Sequence, residues 1–148
     1  MQFGAMTATA FVGALLAVQV GMALTMRQFV GSPMAAALVN FAVGTLFLLI
    51  AVSLGRGSLT GFAQIGAAPW WAWCAGILGG FYITASAAFG PSLGGATFLA
   101  LVVAGQMFAA LALDHYGWLG FPVRPLDAWR AGGALLIIAG MFLLARQG

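Results

Sequence analysis

The sequence predicts an all-α integral membrane protein with five transmembrane helices, and three observations support this fold class. Of the 148 residues, 64% are hydrophobic and 5% are charged, whereas about 25% of an ordinary soluble domain is charged. The apolar residues form five runs, and about 20 residues at ~1.5 Å each cross a ~30 Å hydrocarbon core. Nearly all of the five arginines and two aspartates lie in the short gaps between these runs. We therefore expect lipid to surround most of the chain.

The ends of the helices follow from the residues that flank each apolar run. Arg27 ends the first run, and Ser32 before Pro33 supplies a hydroxyl N-cap and a proline at the first helical position of the second. Pro69 opens the third helix, whose first turn carries Trp70, Trp71 and Trp73 as an aromatic anchor at headgroup level. Asp127 is a good N-cap for the fifth. The expected helices span residues 5–26, 33–54, 69–89, 96–115 and 128–145, all in a single transmembrane domain over residues 1–148.

Three gaps between the runs are expected to be loops. Residues 58–68 are mixed in character and predict an interfacial loop with weak helical tendency. Residues 90–95, Gly-Pro-Ser-Leu-Gly-Gly, predict a tight turn between the third and fourth helices. Residues 116–126 hold Trp118 and two prolines and predict a loop at the membrane surface.

The arginines are almost evenly divided between the two membrane faces. An odd number of helices places the termini on opposite faces, with Arg56, Arg124 and Arg130 on one side and Arg27 and Arg146 on the other. The positive-inside rule needs a clear excess of Lys and Arg on one side to fix orientation. The chain is therefore expected to insert both ways and to pair antiparallel with a second copy or a close paralogue, giving two inverted repeats. The alternative is one fixed orientation, with the three-arginine side facing the cytoplasm.

Five polar residues fall inside the predicted helices, where each must be satisfied within the protein. We expect them to line a central polar cavity that binds a substrate: Gln19, Asn40, Tyr82, Ser86 and Gln106. The alternative is interhelical hydrogen bonding that only holds the bundle, at about 1–2 kcal/mol or less for each bond. For Ser86 that alternative is favoured, because a serine hydroxyl readily bonds the carbonyl one turn back.

Asp114 and His115 form a candidate proton or ion-pair site at the end of the fourth helix. A carboxylate there faces the negative end of the helix dipole, which is electrostatically unfavourable. A charged partner or a functional role would explain its presence. It could pair with an arginine or with His115, or it could take up protons. In an antiparallel pair, Arg27 of the second copy would reach the same membrane face.

Small residues recur every fourth position along the first helix, at Thr9, Gly13, Ala17 and Gly21. Because lipid gives no hydrophobic drive for helix association, such rows favour close helix packing.

The composition argues against an enzyme. The chain has one histidine, no lysine, no glutamate and the single cysteine Cys74, which leaves little for acid–base, thiol or metal chemistry. We expect no catalytic residues, no cofactor and no metal site. The net charge of +3 comes from loop arginines, so it indicates contact with lipid headgroups and not with nucleic acid.

Several short motifs follow one another in a recognisable order and spacing. They are residues 31–45, beginning Gly-Ser-Pro, then Phe81–Ser86, Gly94–Thr97, Leu101–Gln106, Asp114–Gly117 and Arg124–Leu126. In this order the chain resembles the YdcZ-type family of small bacterial membrane proteins. That family belongs to the drug/metabolite transporter superfamily, with the small multidrug exporters and the ten-helix EamA-like permeases. The resemblance covers essentially the whole chain.

The resemblance implies five helices per chain in a family of single, paired and fused copies, which suits antiparallel dimers. It implies a transporter. We expect a secondary transporter in the bacterial cytoplasmic (inner) membrane, which moves a small organic solute, metabolite or drug-like cation by alternating access as an antiparallel homo- or heterodimer. Relatives usually carry an asparagine shortly after the helix-one glutamine, where this chain has Gly21, Met22 and Ala23. If that asparagine serves the substrate, this chain is the less active half of a pair or prefers a less polar solute. The alternative function is a non-transporting assembly subunit that binds another membrane protein.

Overall fold

The protein is described by a computed structural model that covers residues 2–56 and 65–146. Its five long helices are α1 (Gln2–Val30), α2 (Pro33–Ala51), α3 (Ala75–Leu93), α4 (Gly95–Tyr116) and α5 (Ala128–Ala145). Short helical turns lie at Val52–Arg56, Trp70–Cys74 and Trp118–Gly120. By length and composition, all five long helices could cross a membrane, and the described residues hold no strand. The all-α transmembrane fold class is therefore confirmed.

Side-chain caps begin α2 and α5 as the sequence predicts. The Ser32 hydroxyl accepts a hydrogen bond from the main-chain N–H of Ala35 at 3.3 Å, and Pro33 follows it at the first helical position. The Asp127 carboxylate accepts from the N–H of Arg130 at 2.8 Å. Each cap satisfies one of the amide groups that the first turn of a helix leaves without a partner.

The third helix differs from the expectation at both ends. A tight helical turn over Trp70–Cys74 precedes it, so the three tryptophans stand before α3 and not within its first turn. At the other end α3 continues through Pro91 to Leu93, where a turn was expected. Gly94, with a φ of 77°, separates it from α4. Residues 58–64 of the expected interfacial loop, which spans residues 58–68, lie outside the described residues.

The chain divides into an N-terminal unit, Met1–Pro91, and a C-terminal unit, Ser92–Gly148. Among the described residues of the N-terminal unit, the buried ones come from α1, α2 and α3 and are mostly small: Val20, Ala23, Ala36, Ala37, Ile83, Ser86, Ala87 and Gly90. In the C-terminal unit α4 packs against α5, and Phe98, Ala104 and Ala134 are buried. Small side chains at these positions let helix backbones approach closely. The organisation as a single domain stays a prediction.

Large apolar side chains cover the outside of the molecule. Phe47 is 69% exposed, Leu136 75% and Trp129 90%. A soluble protein rarely exposes large continuous apolar areas. Acyl chains are the surroundings that fit this surface.

Candidate functional site

Two amide side chains of the N-terminal unit belong to the helices that carry its small apolar cluster, which consists of Ala23, Ala37 and Ile83. Gln19 lies one turn before Ala23 on α1, and Asn40 lies one turn after Ala37 on α2. Both side chains are half-buried. At ~1.5 Å per residue, Gln19 is ~16 Å from the end of α1 and Asn40 is ~10 Å from the start of α2, so both lie within the hydrocarbon core.

These two amides differ from the neighbouring hydroxyl groups in how they are satisfied. The hydroxyl groups of Thr9 and Thr25 donate to carbonyls of their own helix at 2.8 and 3.1 Å. Within the described part of the chain, the side chains of Gln19 and Asn40 have no hydrogen-bond partner. An amide has four hydrogen-bonding sites to fill, and the binding of a substrate by these two groups stays a prediction.

Tyr82 and Ser86 stand on α3 beside the same cluster. The half-buried ring of Tyr82 packs against the cluster. Ser86 is completely buried, and its hydroxyl donates to the carbonyl of Ile83 at 2.7 Å. Because that bond lies within α3, the Ser86 hydroxyl is already satisfied. Ser86 would therefore form part of the wall of a site here and would not bind the ligand itself. The structure thus brings Gln19, Asn40, Tyr82 and Ser86 into one unit.

Gln106 belongs to the C-terminal unit and occupies the middle of α4. It is two residues, about 200° of helical rotation, from Ala104, which is buried. Gln106 therefore lies on the side of α4 opposite that buried residue, and it is exposed. No hydrogen bond links it to any residue that the structure describes. Its part in a common cavity with Gln19 stays a prediction.

Arg27 is a functional candidate that does not belong to the five polar residues predicted for the cavity. Its guanidinium donates from Nη1 to the main-chain carbonyls of Ala87 at 2.6 Å and Ala88 at 3.3 Å. In an α-helix the carbonyl of Ala87 would accept from the N–H of residue 91, and Pro91 has none. Arg27 therefore supplies the donor that the proline removes, and α3 continues through the proline. The sequence does indicate this acceptor, because Ala87 stands four residues before Pro91 and its carbonyl therefore lacks a helical donor.

The same end of the N-terminal unit is closely packed. A Cβ atom on Gly90 would lie 2.9 Å from Cδ2 of Leu24, so a glycine is what lets α3 approach α1 there. Together with the Arg27 bonds, this contact fixes the end of α1 against the end of α3.

Asp114 and His115 have partners within their own unit. The Asp114 carboxylate forms an ion pair with Arg130, at the start of α5. Nδ1 of His115 accepts a hydrogen bond from the N–H of Leu126 at 3.0 Å, while the N–H of Arg124 donates to the carbonyl of Asp114 at 2.7 Å. The two side chains therefore join the connecting segment and α5 to the end of α4. A role in proton transfer stays a prediction.

Beside this cluster α4 and α5 border an apolar groove of about 500 Å³. Leu111 and Ile138 contribute to its walls, and its ionisable lining residues among those described are His115 and Tyr116. No group of three or more His, Cys, Asp or Glu residues able to hold a metal ion occurs in the described ranges.

Five spanning helices with polar side chains in the hydrocarbon core define a multi-pass α-helical membrane protein. The sequence profile of the family described as "Putative inner membrane exporter, YdcZ" matches residues 4–143. The chain belongs to this family, and it is a multi-pass inner membrane protein. It is 31% identical over 133 residues to a protein of Escherichia coli (strain K12) called "Inner membrane protein YdcZ", covering 89% of this chain and 88% of that protein. No solved structure matches it.

Proposed function

We propose that the chain is a secondary transporter that moves a small organic solute across the inner membrane, working as an antiparallel pair of copies or close paralogues. The observation that carries this proposal is a set of amide side chains in the hydrocarbon core, Gln19, Asn40 and Gln106, that have no hydrogen-bond partner among the described residues. Leaving an amide unpaired in an apolar medium costs about 2–7 kcal/mol. A polar solute passing these residues would supply the missing bonds.

Gln106 supports a second copy in particular. Its exposed amide at the middle of α4 would face acyl chains if the chain functioned alone, and a lipid cannot satisfy it. A partner that covers this side of α4 would enclose the amide. Antiparallel pairing places two such residues at similar depth, because the middle of a helix stays near the middle of the bilayer when the chain is inverted.

The small-residue row on α1 supports the same conclusion. Gly13 and Gly21 have open space where a Cβ atom would stand, and Thr9, Gly13, Ala17 and Gly21 are all exposed. Within the part of the chain that the structure describes, this row is therefore left uncovered. Rows of this kind allow two membrane helices to approach closely, so it is available to a partner.

Flux into liposomes tests the proposal. Purified protein is reconstituted, and uptake of a panel of labelled metabolites and organic cations is measured for the native chain and for Gln106→Ala and Gln19→Ala. We expect at least one solute to be transported and each variant to reduce its rate tenfold or more. Gln28→Ala is the matched control, because Gln28 is an exposed glutamine near the end of α1. Absence of flux and of solute-dependent stabilisation across the panel would contradict the proposal, as would unchanged flux in Gln106→Ala.

The second candidate is a non-transporting subunit that binds another membrane protein. The observation that favours it is the position of the two carboxylates: Asp114 is paired with Arg130, Asp127 caps α5, and no carboxylate lies at mid-membrane to exchange protons for a cation. Purification from native membranes with a stoichiometric, unrelated partner, together with absence of flux, would favour this candidate.

A further inference from the structure

The N-terminal unit carries positive charge with no negative side chain to balance it. The chain has two acidic residues, Asp114 and Asp127, and both belong to the C-terminal unit. Both act on Arg130 there: Asp114 pairs with its guanidinium, and Asp127 accepts from its main-chain N–H. Arg27 therefore has no counter-anion within its own unit.

The position of Arg27 relates this charge to the candidate site. Gln19, Ala23 and Arg27 are spaced four residues apart, so they share one face of α1. Ala23 is buried in the apolar cluster, and the two polar residues on either side of it are half-buried. Arg27 lies ~12 Å along the axis from Gln19, toward the end of the helix. Gln19 and Arg27 are therefore the polar residues of this face, on either side of the buried Ala23.

The guanidinium is held in place and still has free donors. Nη1 is bound to the carbonyls of Ala87 and Ala88, which orients the planar group. An arginine has five N–H donors, and the remaining ones at Nη2 and Nε bind no residue that the structure describes. Two adjacent N–H groups in one plane match the two oxygens of a carboxylate or phosphate.

We propose that Arg27 binds the oxyanion of the transported solute, so that the substrate class is carboxylate- or phosphate-bearing molecules and not organic cations. This inference rests on the proposed function, since it names the solute of the same site. A cation entering the N-terminal unit would find amides and carbonyls but no carboxylate, and a buried charge needs a partner of opposite sign.

Binding in neutral, phospholipid-free detergent tests the assignment. The probes are short mono- and dicarboxylates and phosphate monoesters, each measured beside the matching primary amide or alcohol and the matching primary amine. Dissociation constants come from thermal stabilisation and from equilibrium dialysis of labelled probes. We expect at least one oxyanion to bind, and its neutral and cationic analogues to bind at least tenfold more weakly.

The variants separate charge recognition from a structural role. Arg27→Gln keeps an N–H donor for Ala87 but loses the charge, so oxyanion binding should weaken tenfold or more. Arg27→Lys keeps the charge without the planar pair of donors and should weaken binding less. Arg124→Gln is the control, because it removes one positive charge from the exposed surface of the C-terminal unit, and it should leave binding unchanged.

Three results would overturn the proposal: no oxyanion of the panel binds, Arg27→Gln binds oxyanions as tightly as the native chain, or cationic members bind best. A separate arm with vesicles of phosphatidylglycerol or phosphatidylcholine distinguishes a lipid headgroup from a solute. Binding of phosphatidylglycerol without binding of any soluble oxyanion would also overturn it. Flux of a cation together with failed oxyanion binding would support the proposed transport function and reject this inference. Oxyanion binding without flux would reject the proposed transport function but support Arg27 as an oxyanion-binding residue.

Discussion

Arg27 donates a hydrogen bond across the N-terminal unit to the main-chain carbonyl of Ala87, the carbonyl that Pro91 leaves without its helical donor. A proline inside a helix ordinarily breaks or kinks it, because a hydrogen bond is lost and the ring crowds the preceding turn. Here a side chain from another helix replaces the lost donor, and α3 runs on to Leu93.

The first prediction is that Arg27 and Pro91 are energetically coupled. Arg27→Met should lower the free energy of unfolding by about 1–3 kcal/mol, since a hydrogen bond to a charged group is lost. In a Pro91→Ala background the restored N–H of residue 91 can serve the Ala87 carbonyl, so the same change should cost less, by at least about 0.5 kcal/mol. Unfolding in mixed micelles, with all four proteins compared, measures the coupling. Equal costs in the two backgrounds would show that Arg27 does not replace the proline's missing donor.

The second prediction concerns the two aspartates. Asp114→Asn removes the charge that pairs with Arg130 and should destabilise the protein by about 1–3 kcal/mol, because a partly buried guanidinium loses its counter-ion. Asp127→Asn should change stability by a few tenths of a kcal/mol, since asparagine caps a helix about as well as aspartate.

The two variants are a matched pair, because each replaces one aspartate by asparagine in the same unit. Thermal unfolding in detergent compares them directly. If Asp127→Asn proved as damaging as Asp114→Asn, the Asp114–Arg130 ion pair would not be the interaction that stabilises this end of the C-terminal unit.

The third prediction concerns the residue that follows α4. Gly117 has a φ of 66°, and a Cβ atom there would lie 2.6 Å from Cγ2 of Val123. Gly117→Ala should therefore destabilise the protein by about 1–3 kcal/mol through backbone strain and overpacking. Gly105→Ala, within α4 and with open space around the added methyl group, should be neutral or stabilising by up to about 1 kcal/mol. Similar melting temperatures for the two variants would contradict the packing described for this turn.

The fourth prediction concerns orientation. With three arginines on one side and two on the other, we expect reporters fused to the C-terminus to detect both orientations, one active in the cytoplasm and one in the periplasm. Arg146→Gln leaves three arginines against one and should move most molecules into the orientation whose C-terminus is periplasmic. Arg124→Gln, which leaves two against two, should keep the population mixed. A native chain seen by only one reporter would instead indicate a fixed topology.

The membrane fold and the helix caps could be predicted from local sequence, because span length, hydropathy and capping depend on neighbouring residues. Ser32 and Asp127 are examples. The partner of Asp114 could not be chosen from sequence alone. The sequence offers any arginine or His115 as its partner, and the proximity of Arg130 depends on how residues 117–127 fold back on α4.

The candidate site was predictable in part. Polar residues inside apolar runs identified Gln19, Asn40 and Gln106. Residues 90–95 predict a turn, whereas α3 continues through Pro91, because the donor that replaces its N–H is 64 positions away in the chain and depends on α1 lying beside α3. Long-range neighbours of this kind are set by tertiary packing, which single-sequence patterns do not encode.

The connection between α4 and α5 has a mechanical consequence. Main-chain N–H groups of Arg124 and Leu126 are fastened to consecutive residues at the end of α4, and Arg130 reaches back from α5 to Asp114. These bonds oppose separate movement of α4 and α5 at this end, so we expect the two helices of this unit to move together.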